Sequence, residues 1–296
     1  MEIGKMIRQI RLDKNLSQKY LSTGIMNASH YSKFERGETT TNAENFLKIL
    51  HRLNVTYEEF ILQDRSEIFM LRKRLMHDFA KAFTSGNTKK LAWISEETAA
   101  ALEIEKDVTL DHLHNLSNVY MELFENDFQL ESVQNQLNMI KSYLLKVNTW
   151  GIYEYVILNN ALGTFSLKEV IYFAKKTRKQ LEKFTITDKT YIANAILYNA
   201  SLLLLESDHF EQSFEFAKAS IQVAQKHANT FELITSKITY HTAAYFVSKQ
   251  DFVESELVKC FVALEVLENK SFYTLIKRIC QEKIPELDEK LQNIHI

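Results

Sequence analysis

The sequence predicts an all-α protein in two parts, on three observations. Only three glycines and one proline follow Gly37 in a chain of 296 residues, and both residue types are poor in helix interiors. Apolar residues recur at spacings of three and four along almost the whole chain, which is the period of a helix buried on one side. Before Gly37, residues typical of helix ends follow each other closely, so short helices are expected there.

Residues 1–65 are predicted to form five short helices. The first ends near Asn15, and its inner side carries Ile3, Met6, Ile7, Ile10 and Leu12. Ser17 is a residue type that caps helix N-termini, so a second helix is expected after it, with Tyr20 and Leu21 turned inward. Gly24 can adopt the positive φ that ends this helix.

The third helix is expected over residues 28–35, between a capping residue, Asn27, and Gly37. Three-residue spacing places Ala28, Tyr31 and Phe34 on its inner side. The outer side then combines hydrogen-bonding reach with positive charge, in Ser29, His30, Ser32, Lys33 and Arg36.

The fourth and fifth helices are predicted from capping boxes. Thr41 with Glu44 starts the fourth, whose apolar stripe is Phe46, Leu47, Leu50 and Leu53. Thr56 with Glu59 starts the fifth, where Val55 can pack onto Phe60. Five such helices can enclose a small core of their own.

Several short motifs in this first part resemble the five-helix helix-turn-helix domain of the lambda and 434-type repressors. They occupy residues 10–12, 16–18, 34–37 and 53–60. The run from Lys33 to Thr40, followed by a long helical remainder, most resembles the Rgg regulators of Gram-positive bacteria. The resemblance implies a transcription factor that binds double-stranded DNA and is controlled by a short peptide pheromone.

The resemblance also implies roles for residues at matching positions. The matching positions are Gln18, Ser29, His30 and Lys33. Arg36 is a further candidate for DNA contact because it is a positive charge on the outer side of the same helix. Gln18 matches a position that contacts phosphate, while Lys33 could donate to guanine O6 or N7 in the major groove. Because the turn before Asn27 is one residue tighter than in the phage repressors, Ala28 and Ser29 are alternatives for the first groove-facing position.

A further implied feature is a buried ion pair between Arg11 and Glu35, which would tie the first helix to the third. The alternative is that these are two unrelated surface charges.

Charge separates the two parts of the chain. Residues 1–52 contain nine Lys and Arg against five Asp and Glu, whereas the whole chain has a net charge of -2. A basic first part suggests that nucleic-acid contact is confined to it. Because the surplus is modest, one copy should bind weakly, and a homodimer that doubles the phosphate contacts is expected.

Residues 66–296 are predicted to form a solenoid of paired helices. The expected ranges are 66–84, 88–103, 110–125, 130–147, 152–161, 167–184, 189–207, 210–228, 231–248, 252–268 and 271–293. A repeat of 43 residues places Ala174, Ala217 and Cys260 in second helices, and Ile157, Ala200 and Ala243 in first helices. Small residues where helices cross are typical of a tetratricopeptide-like α-solenoid.

The first helices of such a solenoid line a concave groove that suits an extended peptide. The positions expected to face it are Glu154, Asn159, Asn194, Leu197, Ser201, Lys237 and Tyr240. Asn194 is the leading clamp candidate, because a carboxamide offers a donor and an acceptor to a peptide backbone. Lys237 could pair with a carboxylate, and Tyr240 could form an apolar wall. Each of these residues could instead be an ordinary packing residue.

The sequence offers no support for catalysis or for a cofactor. Cys260 and Cys280 stand at no metal-like spacing, and His112 and His114 point in different directions on one helix. No phosphate loop, paired-glycine fingerprint or nucleophile elbow is present. No apolar stretch approaches the roughly 20 residues that span a bilayer, and no secretory signal is seen, so a cytoplasmic protein is expected.

Two alternatives to a peptide-controlled regulator stay open. The first is a phage-like repressor whose helical part only dimerises. The second is an adaptor whose helical part docks another protein.

Overall fold

The computed structural model describes residues 2–63, 67–182 and 188–292, and within those ranges every regular element is a helix. The chain divides into two compact units, Met1–Lys81 and Ala82–Ile296. The boundary expected after residue 65 falls among residues 64–66, which lie outside the described ranges.

The first unit begins with the five short helices predicted from the sequence. They are α1 (Ile3–Asp13), α2 (Gln18–Ser22), α3 (Ala28–Glu35), α4 (Ala43–Leu53) and α5 (Tyr57–Gln63). One cluster of buried side chains, which includes Ile7, Leu21, Tyr31, Ile49 and Phe60, forms their core. All the buried residues of this cluster belong to these five helices.

Some residues predicted to face this core do not. Leu12, Tyr20 and Leu47 are 48%, 53% and 56% exposed, and Ala28 is exposed as well. Helices of two or three turns in so small a domain bury only a narrow stripe, so apolar residues beside that stripe stay in contact with solvent.

Helix ends in this unit follow the predicted capping residues with one exception. The Ser17 hydroxyl accepts a hydrogen bond from the Tyr20 amide at 3.1 Å. Thr56 and Glu59 form the reciprocal box, with hydrogen bonds of 2.7 and 3.1 Å. At the start of α4 the predicted Thr41 box is wrong, because the cap is the Asn42 carboxamide, which accepts from the Asn45 amide at 2.8 Å. Asparagine is at least as good an N-cap as threonine.

Longer helices build the second unit. α6 (Glu67–Thr84) runs across the boundary, and after it come α7 (Thr88–Ile104), α8 (Val108–Glu125), α9 (Leu130–Lys146), α10 (Ile152–Ala161), α11 (Leu167–Leu181), α12 (Asp188–Glu206), α13 (Phe210–Lys226), α14 (Thr230–Val247), α15 (Glu254–Val266), α16 (Lys270–Lys283) and α17 (Leu287–Gln292). A short 3-10 helix, Leu162–Thr164, follows α10.

The last expected helix is in fact two. The sequence predicts one helix over 271–293, but α16 ends before Pro285 and α17 begins after it. Proline has no amide hydrogen and disfavours helical geometry in the residue before it. Ile284 accordingly has φ of -129° and ψ of 84°. Residue 293 lies outside the described residues.

Six helices of the second unit pack in two layers. α10, α12, α14 and α16 pack on one another in succession, and we call them the first-helix layer; α11 and α13 pack together in the other. The residues predicted at the helix crossings are all buried, with Ala174, Ala200, Ala217 and Ala243 fully so. Small side chains at these points let successive helices approach closely, as the sequence repeat predicts.

Candidate DNA-binding and ligand-binding sites

Helices α2 and α3 form a helix-turn-helix whose turn is fixed by local hydrogen bonds. The Asn27 carboxamide oxygen accepts from the His30 amide at 2.8 Å and so caps α3. Gly24 has a φ of 74°, a value that residues with side chains rarely adopt. The turn thus sets the direction in which α3 leaves α2.

A second feature of the turn, Arg52, was not apparent from the sequence because it belongs to no motif. Arg52 reaches across from α4, and its Nη1 donates to the carbonyl oxygens of Tyr20, Leu21 and Thr23 at 3.0, 3.1 and 2.6 Å. Carbonyl groups at a helix C-terminus have no partner within the helix. Arg52 therefore caps α2 and connects the turn to α4.

The outer face of α3 presents the residues expected to contact DNA. Tyr31 and Phe34 are buried in the core, whereas the opposite side exposes Ser29, His30, Lys33 and Arg36. This face has polar groups that can reach base edges and a positive charge that suits phosphate.

Two of these side chains also hold the loop after α3. His30 Nε2 lies 3.2 Å from the Thr40 carbonyl oxygen. Arg36 donates to the Glu38 carboxylate at 2.5 and 3.0 Å and to the Ser32 hydroxyl at 2.7 Å. Because both partners of the Arg36 pair are about half exposed, their attraction is weak and phosphate can compete for the arginine.

Beneath this face the structure brings Arg11 and Glu35 together. Arg11 Nε and Nη2 donate to the two carboxylate oxygens of Glu35 at 2.6 and 2.9 Å. Glu35 is fully buried, and Gln18 Nε2 donates a third hydrogen bond to it at 2.7 Å. Burial alone would raise the pKa of Glu35, but the hydrogen bonds from Arg11 and Gln18 outweigh it and the pKa is lowered. The carboxylate therefore stays charged and ties α1 and α2 to α3.

Gln18 has a second N–H that this hydrogen bond does not use, since a carboxamide nitrogen carries two donors. Its side chain is half-buried at the start of α2. Contact between Gln18 and a DNA phosphate stays a prediction.

In the second unit, four of the residues expected in the groove are buried. Asn194, Leu197 and Ser201 are at most 1% exposed, and Glu154 is 9% exposed. Asn194 donates to the Glu232 carboxylate on α14, and the Ser201 hydroxyl donates to the Tyr198 carbonyl oxygen at 2.7 Å.

The structure packs these four side chains among helices and not along an open groove, and their contact with a peptide stays a prediction. Ala200 marks a helix crossing on α12, and Asn194, Leu197 and Ser201 lie within two turns of it. Glu154 instead caps α10, accepting from the Gly151 amide at 2.6 Å, and also accepts from the Tyr143 hydroxyl.

Lys237 and Tyr240 are half-buried and face other helices. Lys237 Nζ lies 3.9 Å from the Glu256 carboxylate on α15. The Tyr240 hydroxyl donates to Asp251 at 3.0 Å, and its ring stacks on Phe214 with centroids 4.7 Å apart. Both side chains thus have partners within the protein, and their contact with a peptide stays a prediction.

Asn159, by contrast, is half-buried in the first-helix layer and pairs with a residue that sequence reasoning missed. Asn199 Nδ2 donates to Asn159 Oδ1 at 2.9 Å, which joins α12 to α10. Asn199 is one of the partly exposed residues on α12, together with Tyr191 and Ala195. The spacing of four among these three residues was the available signal. We call Asn159 and Asn199 the asparagine pair.

Other reactive side chains do not form a site in the part of the chain that the structure describes. Cys260 and Cys280 are buried, and burial raises their pKa to about 11 and about 12, so both thiols stay protonated at neutral pH. No group of three His, Cys, Asp or Glu side chains within the described ranges is arranged to hold a metal ion. Over the same ranges, the helices all fall short of the length and apolarity that crossing a membrane requires.

Comparison with known families bears on both units. A helix-turn-helix family model matches residues 7–60. A model described as the C-terminal domain of the HTH-type transcriptional regulator Rgg matches residues 89–278, which is more than half of the chain. The chain belongs to the Rgg family. This Rgg-family chain is thus a helix-turn-helix transcriptional regulator, as its sequence motifs predict.

Solved structures resemble this Rgg-family chain over nearly its whole length. The SHP pheromone receptor Rgg2 from Streptococcus dysgalactiae has 19% identity and a TM-score of 0.74, covering 95% of this chain and 99% of that one. A transcriptional regulator from Listeria monocytogenes has 17% identity and a TM-score of 0.78, covering 97% and 98%. The PrgX/cCF10 complex has 16% identity and a TM-score of 0.67, covering 96% and 100%. The predicted fold, a helix-turn-helix domain followed by helical repeats, is confirmed.

Proposed function

We propose that this regulator is a cytoplasmic homodimer whose effect on transcription is set by a short peptide bound to the first-helix layer. Rgg2 is described as a pheromone receptor, and PrgX was solved in complex with cCF10. These neighbours support a peptide as the class of ligand.

The asparagine pair is the observation that carries the proposal. An extended peptide has unpaired N–H and C=O groups at every residue. After their mutual hydrogen bond, the two carboxamides still offer N–H donors on both residues and the Asn199 oxygen as an acceptor. Both side chains are half-buried, so hydrogen bonds made there are partly shielded from competing water.

The position of the pair also suggests how a peptide could act on the fold. Asn159 lies on α10 and Asn199 on α12, the first helices of successive repeats. The affinity of a peptide that contacts both helices depends on the distance between them. It can shift the equilibrium between two arrangements only to the extent that it binds one of them more tightly.

For DNA, we propose that α3 enters the major groove with Ser29, His30 and Lys33 toward base edges. Gln18 and Arg36 then contact phosphate from either side of the recognition helix. Two copies of this modestly basic unit, held in a dimer, double the phosphate contacts and match a two-fold operator.

The proposed DNA contacts are tested by selecting binding sites from a pool of random DNA duplexes and measuring affinity for them by fluorescence anisotropy. We expect Lys33→Ala to weaken binding to the selected site by about tenfold, because one lost base contact costs roughly 1–3 kcal/mol. Lys249→Ala, which removes an exposed charge from the second unit, is the matched control. Wild-type affinity for Lys33→Ala would refute the recognition-helix assignment.

The proposed peptide binding is tested by affinity selection from a synthetic library of octapeptides with free termini. The wild-type protein should retain a subset, and Asn199→Ala should lose that subset while keeping its affinity for DNA. Retention of no peptide by the wild type would favour a repressor whose helical unit only dimerises. Recovery of a stoichiometric protein partner from cells would favour the adaptor.

A further inference from the structure

A cavity of about 480 Å³ opens at one end of the first-helix layer, where α9, α11 and α12 meet the 3-10 helix. Phe165 and Val170, which are at most 3% exposed, lie at its floor. Leu130, Leu167 and Leu203 form its half-buried walls, and Gly163 is exposed at its mouth. We call this cavity the leucine pocket. Its volume is in the range of small ligand-binding sites.

The leucine pocket is in helical register with the asparagine pair. Gly163 follows Asn159 by four residues, and Leu203 follows Asn199 by four residues. Asn199 and Leu203 both lie on α12, where four residues make about one turn, so the pocket begins roughly 5–6 Å along that helix from the pair. An extended chain advances about 3.3 Å per residue, with alternate side chains on one face. A peptide whose backbone lies on the pair therefore has the side chain two residues further along at the pocket.

Four polar side chains line the pocket: Glu131 and Ser207 lie exposed at its rim, and Ser166 and Gln134 are hydrogen-bonded within the protein. The Ser166 hydroxyl donates to Glu169 at 2.8 Å. Gln134 donates to the Leu130 carbonyl oxygen at 3.1 Å and accepts from Lys141 at 2.8 Å. What the pocket has left to offer a ligand is mainly aliphatic and aromatic surface, which favours an apolar occupant.

We propose that the leucine pocket receives a large apolar side chain of the bound peptide and so selects among peptides. This inference rests on the proposed peptide control and adds a specificity site to it. Burying a leucine or phenylalanine side chain favours binding by about tenfold or more.

Gly163 provides a direct way to close the pocket. A β-carbon built at Gly163 meets nothing within 4 Å, and the residue does not have a positive φ. Gly163→Leu is therefore compatible with the backbone and places its side chain at the mouth. Lys168→Leu adds the same side chain at a nearby exposed position that does not line the pocket, which makes it the matched control.

The experiment is selection from a synthetic octapeptide library with Gly, Ala, Leu, Ile, Met and Phe varied at every position. Wild type and Lys168→Leu should retain peptides with a large apolar residue at one fixed position. Gly163→Leu should bind those peptides about tenfold or more weakly and prefer Ala or Gly there. Leu203→Ala, which enlarges the pocket, should shift the preference toward Phe.

The outcomes separate this inference from the proposal on which it rests. Unchanged positional preference in both Gly163→Leu and Leu203→Ala would overturn the leucine pocket and leave peptide control standing. Retention of no peptide by the wild type would overturn both.

Discussion

The Arg11 guanidinium and the Glu35 carboxylate form two hydrogen bonds, of 2.6 and 2.9 Å, between residues 24 positions apart in the sequence. Glu35 is the last residue of α3 and is fully buried, so the pair anchors the C-terminal end of that helix. The orientation of the proposed recognition helix therefore depends on a buried charge being fully compensated.

Removing one partner should be costly. Arg11→Ala leaves Glu35 buried without its main partner, and we expect a loss of about 3–5 kcal/mol in the stability of the first unit. Hydrogen exchange at the α1 and α3 amides under native conditions measures this loss. The double variant Arg11→Met, Glu35→Leu removes both charges and should recover most of it. Exchange in Arg11→Ala at the wild-type rate would contradict this interpretation of the pair.

Arg52 should matter more than its place on the surface of α4 suggests. It donates to three carbonyl groups at the end of α2, and charge-assisted hydrogen bonds contribute roughly 1.5–3 kcal/mol. We expect Arg52→Ala to lower stability by about that amount and to weaken binding to the selected DNA site.

Lys48→Ala on the same helix is the control for stability. Lys48 pairs with Glu44, and both side chains are more than half exposed, so its loss should cost less than about 1 kcal/mol. Equal melting temperatures for the Arg52 and Lys48 variants would show that Arg52 does not support the turn.

Acid should destabilise the second unit through buried histidines. Burial lowers the pKa of His112 and of His241, whereas an unfolded histidine titrates near pH 6.5. Below about that pH the unfolded chain binds more protons than the folded one, so stability falls as pH is lowered toward the folded pKa values. Urea denaturation at pH 7.5, 6.5 and 5.5 measures this dependence.

A variant of His112 can show how much of this pH dependence of stability comes from that one residue. His112 Nδ1 lies 2.5 Å from the Tyr153 hydroxyl, and His112→Gln keeps a polar side chain there without a titrating group. We expect a shallower loss of stability on acidification than in wild type or in His209→Gln, an exposed histidine variant. If the free energy of unfolding fell equally with pH in all three proteins, burial of His112 would not be a cause of the acid sensitivity.

Helix positions were accessible from the sequence because caps and apolar spacing are local signals. Ser17, Asn27 and Thr56 each bond to the amide three residues on, as their residue types predict. Pro285 is a local signal too: the apolar spacing predicts one helix through it, but the helix ends before this proline and a new one begins after it.

The solvent-exposed face of each helix in the repeats could not be predicted from the sequence in the same way. Asn194 and Asn199 are both asparagines on α12, yet Asn194 is 1% exposed, whereas Asn199 is half-buried among the partly exposed residues of that helix. The side of each helix that stays exposed to solvent depends on the angles at which neighbouring helices cross. A degenerate sequence repeat does not specify those angles. Asn159 is a candidate from the sequence, whereas its hydrogen-bonding neighbour on the next first helix, Asn199, comes only from the structure.

The most direct test of peptide control is a transcription reporter driven by the selected DNA site, in cells that carry wild type or Asn199→Ala and receive a peptide retained by the wild-type protein. We predict that peptide changes reporter output with wild type and leaves it unchanged with Asn199→Ala, although both proteins bind the site equally well. A full peptide response from Asn199→Ala at the same peptide concentration would contradict control through the asparagine pair.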